Sequence, residues 1–137
     1  MGTVYAEIIL KNAADVIDVQ RGHMAEKDVR ECTVRALADT GAGTLVINEE
    51  VRQQLGLEIK GLRGAYLADG VRQVCRVTEP VEIHWKNRDT ACRALLLPGA
   101  EEVLLGAIPL EDMDLIVDPA ARELKGAHGD EVVCLIK

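Results

Sequence analysis

Apolar and polar residues alternate along much of this chain at the two-residue period of strands rather than the longer period of helices. Thr3 to Leu10 reads as a first strand, with Val4, Ile8 and Leu10 among its apolar positions. Asn12 to Lys27 is polar and poorly periodic, with a turn at Arg21-Gly22-His23. Alternation returns from Val29 to Ala38 and runs into Asp39-Thr40-Gly41. Thr44 to Ile47 is a short buried strand. Asn48 then has the chemistry of a helix N-cap, with Glu49 and Glu50 in the first turn and Gly56 just past the end, so a short helix is predicted over Glu49 to Leu55.

Glu58 to Arg76 predicts a long hairpin with its tip at Leu67-Ala68-Asp69-Gly70, because Asp-Gly is a strong turn signal. Two more strands follow at Val81 to Trp85 and Ala91 to Leu97, joined by Lys86-Asn87-Arg88-Asp89 and ended by Pro98-Gly99. Val103-Leu104-Leu105 is a very short strand stopped by Gly106, and Pro109 to Met113 suits one helical turn or slightly more. Leu115 to Val117 and the region of Leu124 flank a turn at Asp118-Pro119-Ala120-Ala121, and Glu131 to Ile136 reads as a last strand. The expected fold class is all-β, with one or two short helices, in one domain spanning residues 1–137.

Composition sharpens this picture. The core is built from Val, Leu and Ile, because the chain has no Phe, one Trp and two Tyr; branched aliphatics favour strands. A net charge of −7, with no basic run, argues against nucleic acid as a partner. No segment reaches the apolar length of a membrane span, and the N-terminus lacks the basic head and apolar run of a signal peptide. The expected location is the cytoplasm, without membrane association. Cys32, Cys75, Cys92 and Cys134 are scattered and form no C-x-x-C pair, which fits free thiols in a reducing compartment. His23, His84 and His128 are isolated, and nothing in the pattern indicates a metal or another cofactor.

The candidate chemistry lies at Asp39-Thr40-Gly41-Ala42. Two apolar runs meet there, with a carboxylate at the corner. A carboxylate set in so much apolar sequence is costly to bury and needs a reason. Asp-Thr-Gly alone is a weak motif; the order of parts carries more. Ala36-Leu37-Ala38-Asp39-Thr40-Gly41-Ala42 is followed by an apolar strand, then Leu55-Gly56-Leu57, a Gly-tipped hairpin, and Val103-Leu104-Leu105-Gly106-Ala107-Ile108-Pro109-Leu110-Glu111. Over Val29 to about Lys125 this succession resembles the retropepsin-like aspartic proteases, closest to the small bacterial and archaeal members.

The resemblance implies a closed acid-protease barrel that works as a homodimer on a peptide or protein substrate, with no cofactor. Asp39 would be the catalytic carboxylate, paired with Asp39 of a second copy because the chain has a single Asp-Thr-Gly. Thr40 would lock the two catalytic loops together. Gly41 would let the chain turn and offer its carbonyl to substrate, with Ala42 completing the loop. Leu67, Ala68, Asp69 and Gly70 would form a flap over the bound peptide. Leu37, Val46 and Leu104 would be pocket walls, and Leu105 and Gly106 the second hydrophobic-Gly loop. Retroviral members carry an acidic residue after Asp-Thr-Gly-Ala and an Arg after the second Gly; here those positions are Gly43 and Ala107. Residues 12–27 and the tail from Ala127 on have no counterpart in the short retroviral chains. Two other readings stay open: a non-catalytic peptide-binding or dimerisation domain on the same fold, and a plain β-domain in which Asp39 caps a turn.

Overall fold

A computed structural model describes residues 2–136. Nine strands and three short helices make it mostly β: β1 Tyr5–Asn12, α1 Ala13–Gln20, β2 Glu31–Ala38, β3 Leu45–Ile47, α2 Glu49–Leu55, β4 Ile59–Tyr66, β5 Arg72–Trp85, β6 Arg88–Leu96, β7 Leu104–Leu105, α3 Ala107–Asp112, β8 Leu115–Asp118 and β9 Glu123–Gly126. A 3₁₀ turn at Glu26–Asp28 precedes β2. None of the helices is long and apolar enough to cross a membrane.

The main sheet has the order β1-β2-β7-β3-β6-β5-β4, and β1 also pairs with β5. Six strands therefore form a hydrogen-bonded ring, and β4 hangs outside it on β5. The alternation in β1 is the reason it faces inward: Ala6, Ile8, Leu10 and Asn12 are buried while Glu7 and Ile9 are exposed. Inside the ring pack Val4, Ile8, Leu10, Leu45, Ile47, Ile83 and Leu105, an aliphatic core that needs no Phe. β8 and β9 form a separate two-stranded sheet.

α2 has the caps its sequence calls for. The Asn48 side chain accepts a hydrogen bond from the Val51 amide at 2.9 Å, and Gly56 closes the helix at φ 63°, the left-handed region that favours glycine. α1 departs from the sequence reading, which has no helix there. Only Ala13 and Asp15 of its residues are buried, so no apolar stripe marks it. Polar pairing holds it instead. Asn12 caps Asp15 and donates through its side chain to the Leu55 carbonyl at 2.9 Å. The Asp15 carboxylate takes the Arg30 amide at 3.0 Å and the Arg30 guanidinium at 2.8 and 2.9 Å. Those guanidinium bonds hold the Asp15 carboxyl below its usual range. Burial of one charge is tolerated because every lone pair that matters has a donor.

Three further expectations need correction. The helices number three, not one or two. The second arm of the hairpin and the strand after it are one continuous strand, β5, whose register shifts between Val77 and Pro80. Pro80 has no N–H to give a ladder, and the bulge accommodates it without ending the strand. The last strand expected at Glu131 to Ile136 does not form. Glu131 makes an isolated bridge to His128, the Val133 amide donates to the Asp114 carboxylate at 3.0 Å instead of to a ladder, and Leu135 and Ile136 are exposed.

Candidate active site

β2 delivers Asp39 to the site. It runs parallel to β7, pairing Leu37 with Leu104 and Ala38 with Leu105, and β7 is antiparallel to β3 through Val46 and Leu104. The two-residue β7 is therefore a wedge between the strands on either side of the Asp39 turn. The Asp39 amide donates to the Leu105 carbonyl at 3.0 Å, and the Ala42 amide returns to the Asp39 carbonyl at 3.1 Å to close the turn. The Gly41 amide donates to Asp39 Oδ1 at 2.9 Å. This fixes the carboxylate plane, while Oδ2 has no protein partner among the described residues. Asp39 is half-buried: oriented, but open to solvent on one side.

Leu105 and Gly106 clamp this turn from behind. The Ala107 amide donates to the Ala42 carbonyl at 2.8 Å, and the Ile108 amide to the Gly43 carbonyl at 3.1 Å. The first N–H groups of a helix lack partners within it; in α3 two of them are used to hold the Asp39 loop. A Cβ on Gly106 would sit 2.6 Å from the Ala42 carbonyl oxygen and closer still to that of Thr44. The approach of the two loops thus requires glycine for space, not for dihedral freedom.

Asp39 lies in a cleft of about 430 Å³. Its floor is Gly41, Ala42, Gly43 and Thr44, and its walls include Val46, Leu95, Leu97 and Leu104. The β4–β5 hairpin supplies the opposite wall through Ala65, Tyr66, Leu67 and Ala68. Asp69 and Gly70 lie beyond that lining, at the hairpin tip. There the Asp69 carboxylate accepts the Val71 amide at 2.9 Å and Gly70 has φ 82°. Leu37 also lies outside the lining, because β7 stands between β2 and the cleft. Leu95 and Leu97 line it although the sequence did not single them out; they enter through the parallel pairing of β6 with β3, where Leu95 meets Val46. The only signal in the sequence is their alternation, which does not say which strand they join.

Thr40 faces away from the cleft. It is exposed and borders a second groove of about 490 Å³, lined also by Leu110, Leu115, Ile116, Val117 and Pro119. Ile108 and Ile116, on α3 and β8, are themselves exposed.

The base of the hairpin is tied to α2. Arg76 of β5 reaches Glu49 Oε2 at 3.1 Å, and Arg52 pairs with the same carboxylate. Arg52 foremost, then Arg76, pulls the Glu49 carboxyl down from 4.5 to about 2. A depressed carboxyl stabilises the folded state above its unfolded value and loses that contribution as pH falls through the folded one. Glu49→Gln should therefore melt below the wild type above about pH 4.5, and the gap should close as pH falls towards about 2. Because the pair is exposed the gap should be small. A melting series across that range checks it, and a gap independent of pH would contradict the assignment.

A search among curated proteins finds no match to this chain. The model of the family described as "gag-polyprotein putative aspartyl protease" matches residues 13–112, the span that holds the Asp39 turn, the hairpin and the Leu105-Gly106 loop, and the chain belongs to this family of retropepsin-like aspartyl proteases.

Proposed function

We propose that residues 1–137 form one aspartic endopeptidase domain, active as a homodimer in which each copy contributes Asp39. The ring of strands is then the closed acid-protease barrel, and the β4–β5 hairpin, tipped by Asp69 and Gly70, is its flap. The observation that carries the reading is a lone, oriented carboxylate at the floor of an apolar cleft beneath a hairpin. One carboxylate cannot serve as base and acid in the same step. Two that face each other hold a single proton between them, since both ionise together only at high cost. The charged one draws a proton from a water, and the protonated one donates to the scissile carbonyl. Flap closure excludes bulk water from the pair. A symmetric dimer presents the same surface twice. Thr40 and Ile116, which line the second groove together, are suited to that surface.

Sedimentation at micromolar concentration, with cleavage of a mixed peptide library read by mass spectrometry, tests the proposal. The expected result is a two-fold species whose activity is blocked by a statine-type mimic of the tetrahedral state. A dimer that binds peptides and cleaves none would establish the non-catalytic binding domain instead. A strictly monomeric protein that still cleaves through Asp39 would contradict the mechanism.

The flap gives a further prediction. A Cβ at Gly70 would meet nothing within 4 Å, so Gly70→Val costs only its strained φ of 82°. That is about 1–3 kcal/mol at an exposed tip. Turnover should fall by about tenfold or more, well beyond what the loss of stability explains, because closure depends on the tip. Equal losses of turnover and stability would make it a structural turn only.

A further inference from the structure

The hairpin tip carries a chemistry of its own. Asp69 is the one Asp or Asn of the chain that is followed by Gly. Elsewhere a side chain on the next residue shields the backbone nitrogen. Asp15, Asp18 and Asp28 precede Val, and Asp39 and Asp89 precede Thr, each with two heavy atoms on Cβ. Asp118 precedes Pro119, which has no N–H to give. Gly70 presents neither obstacle.

The local geometry sets the two groups against each other. Asp69 Oδ1 accepts the Val71 amide at 2.9 Å, and a bond to the residue after next folds the carboxyl forward along the Gly70 peptide. Both residues are exposed, and a Cβ at Gly70 would meet nothing within 4 Å, so no neighbour crowds this peptide. One restraint opposes reaction. The Gly70 amide donates to the Leu67 carbonyl at 2.9 Å, and the Leu67 amide to the Val71 carbonyl at 2.9 Å. Solvent-exposed backbone bonds at a hairpin tip are among the first to open, and opening frees the Gly70 nitrogen.

We infer that Asp69-Gly70 is a site of spontaneous covalent modification, aspartate to isoaspartate, and that the change disables the hairpin tip over the cleft. The Gly70 nitrogen attacks Asp69 Cγ and a new C–N bond forms. The N–H proton and one from solvent leave with a carboxyl oxygen as water, which gives a cyclic succinimide. Water then adds to one of its two carbonyls. Addition at the Asp69 main-chain carbonyl breaks the original peptide bond, and the chain afterwards runs through Cβ. The water lost is regained, so composition is unchanged and no oxidant, metal or enzyme is needed. The main chain is longer by one atom, and the carboxylate hangs directly from it. The turn closed between Leu67 and Val71 cannot keep its bonds, and Leu67 and Ala68, which line the cleft, move with it. The consequence for cleavage rests on the proposed protease activity; the modification itself does not.

Wild type, Asp69→Glu and Asp69→Asn are incubated as folded proteins in heavy-oxygen water. The tryptic peptide of residues 64–72 is then followed by chromatography and mass spectrometry, against samples digested at the start. Wild type should yield a second form of this peptide that carries one heavy oxygen, and it should accumulate faster than label in any other Asp-containing peptide. Asp69→Glu should yield none, because its longer side chain must close a larger ring. Asp69→Asn should react severalfold faster than wild type, since ammonia leaves more readily than oxygen from an ionised carboxyl. Wild-type turnover, relative to its fresh value, should fall in step with the isomerised fraction, while Asp69→Glu, whatever its initial turnover, should lose none over the same period. Label no faster in this peptide than in the others, an equal rate in Asp69→Glu, or full turnover from isomerised protein would overturn the inference and leave the protease reading intact. Fresh protein that cleaves nothing, yet isomerises at Asp69 and then loses its binding of a reduced-amide peptide, would uphold the inference and overturn the protease reading.

Discussion

Asp39→Asn should abolish peptide hydrolysis, lowering turnover by at least about 10³-fold, while the protein stays folded. The magnitude follows from the role: loss of the acid–base group alone removes about 10²–10⁴-fold, and in the proposed dimer one substitution in the gene removes both groups. The fold should tolerate the change. Asn keeps the side-chain oxygen that accepts the Gly41 amide at 2.9 Å, and the turn is independently closed by the Ala42 amide. The dimer should also survive, because Asn ends the repulsion between two carboxylates across the axis. A titration gives the sharper form of the test. Adding inactive Asp39→Asn protein to a fixed amount of wild type should lower the activity per wild-type chain, as mixed dimers carry one carboxylate. Activity that is indifferent to the added variant would remove the shared site from the mechanism. A variant that falls apart would favour Asp39 as a turn residue only.

How far the sequence reveals this site depends on how local each signal is. The Asp39 turn, the caps of α2 and the hairpin tip at Asp69-Gly70 are written in neighbouring residues, and they are read with little error. Leu95 and Leu97 are not, because their place in the cleft comes from pairing with β3, about fifty positions earlier in the chain. α1 is hidden for a different reason. Its buried residues are Ala13 and Asp15, and Asp15 by itself looks like a solvated charge and is buried only because Arg30 closes on it. Pro80 misleads in the opposite direction: its local meaning is an end to a strand, yet a bulge carries β5 through it. Glu131 to Ile136 has the composition of a strand, yet it makes only the bridge to His128 and gives its Val133 amide to the Asp114 side chain, so pattern alone gives no ladder. The match to the family ends at residue 112; it includes α1, which the sequence hides, and excludes β8 and β9, which it shows.

Gly106→Ala should be the most damaging single-methyl change in the site, and its contrast with Gly43→Ala isolates the cause. Both glycines lie in the two loops that form the Asp39 floor. Gly106 has φ −93° and ψ −172°, extended backbone that alanine adopts freely, so dihedral strain contributes nothing. What alanine adds is a methyl group against the Ala42 and Thr44 carbonyl oxygens, the former 2.6 Å away. These are backbone atoms held by the Ala107 and Ile108 amides, and they cannot swing aside as a side-chain end would. The loops must part, which breaks the bonds that orient Asp39. Overpacking of this kind costs about 1–3 kcal/mol, and the exposed carbonyls add to it, so Gly106→Ala should melt roughly 5–10 °C below wild type. A Cβ at Gly43 meets nothing within 4 Å, and Gly43→Ala should melt within about 2 °C of wild type. Peptide hydrolysis should fall in Gly106→Ala even well below its melting point, since the displaced loop carries the carboxylate. Equal melting of the two variants would mean that the loops are not in close contact, and the account of how Asp39 is held would fail with it.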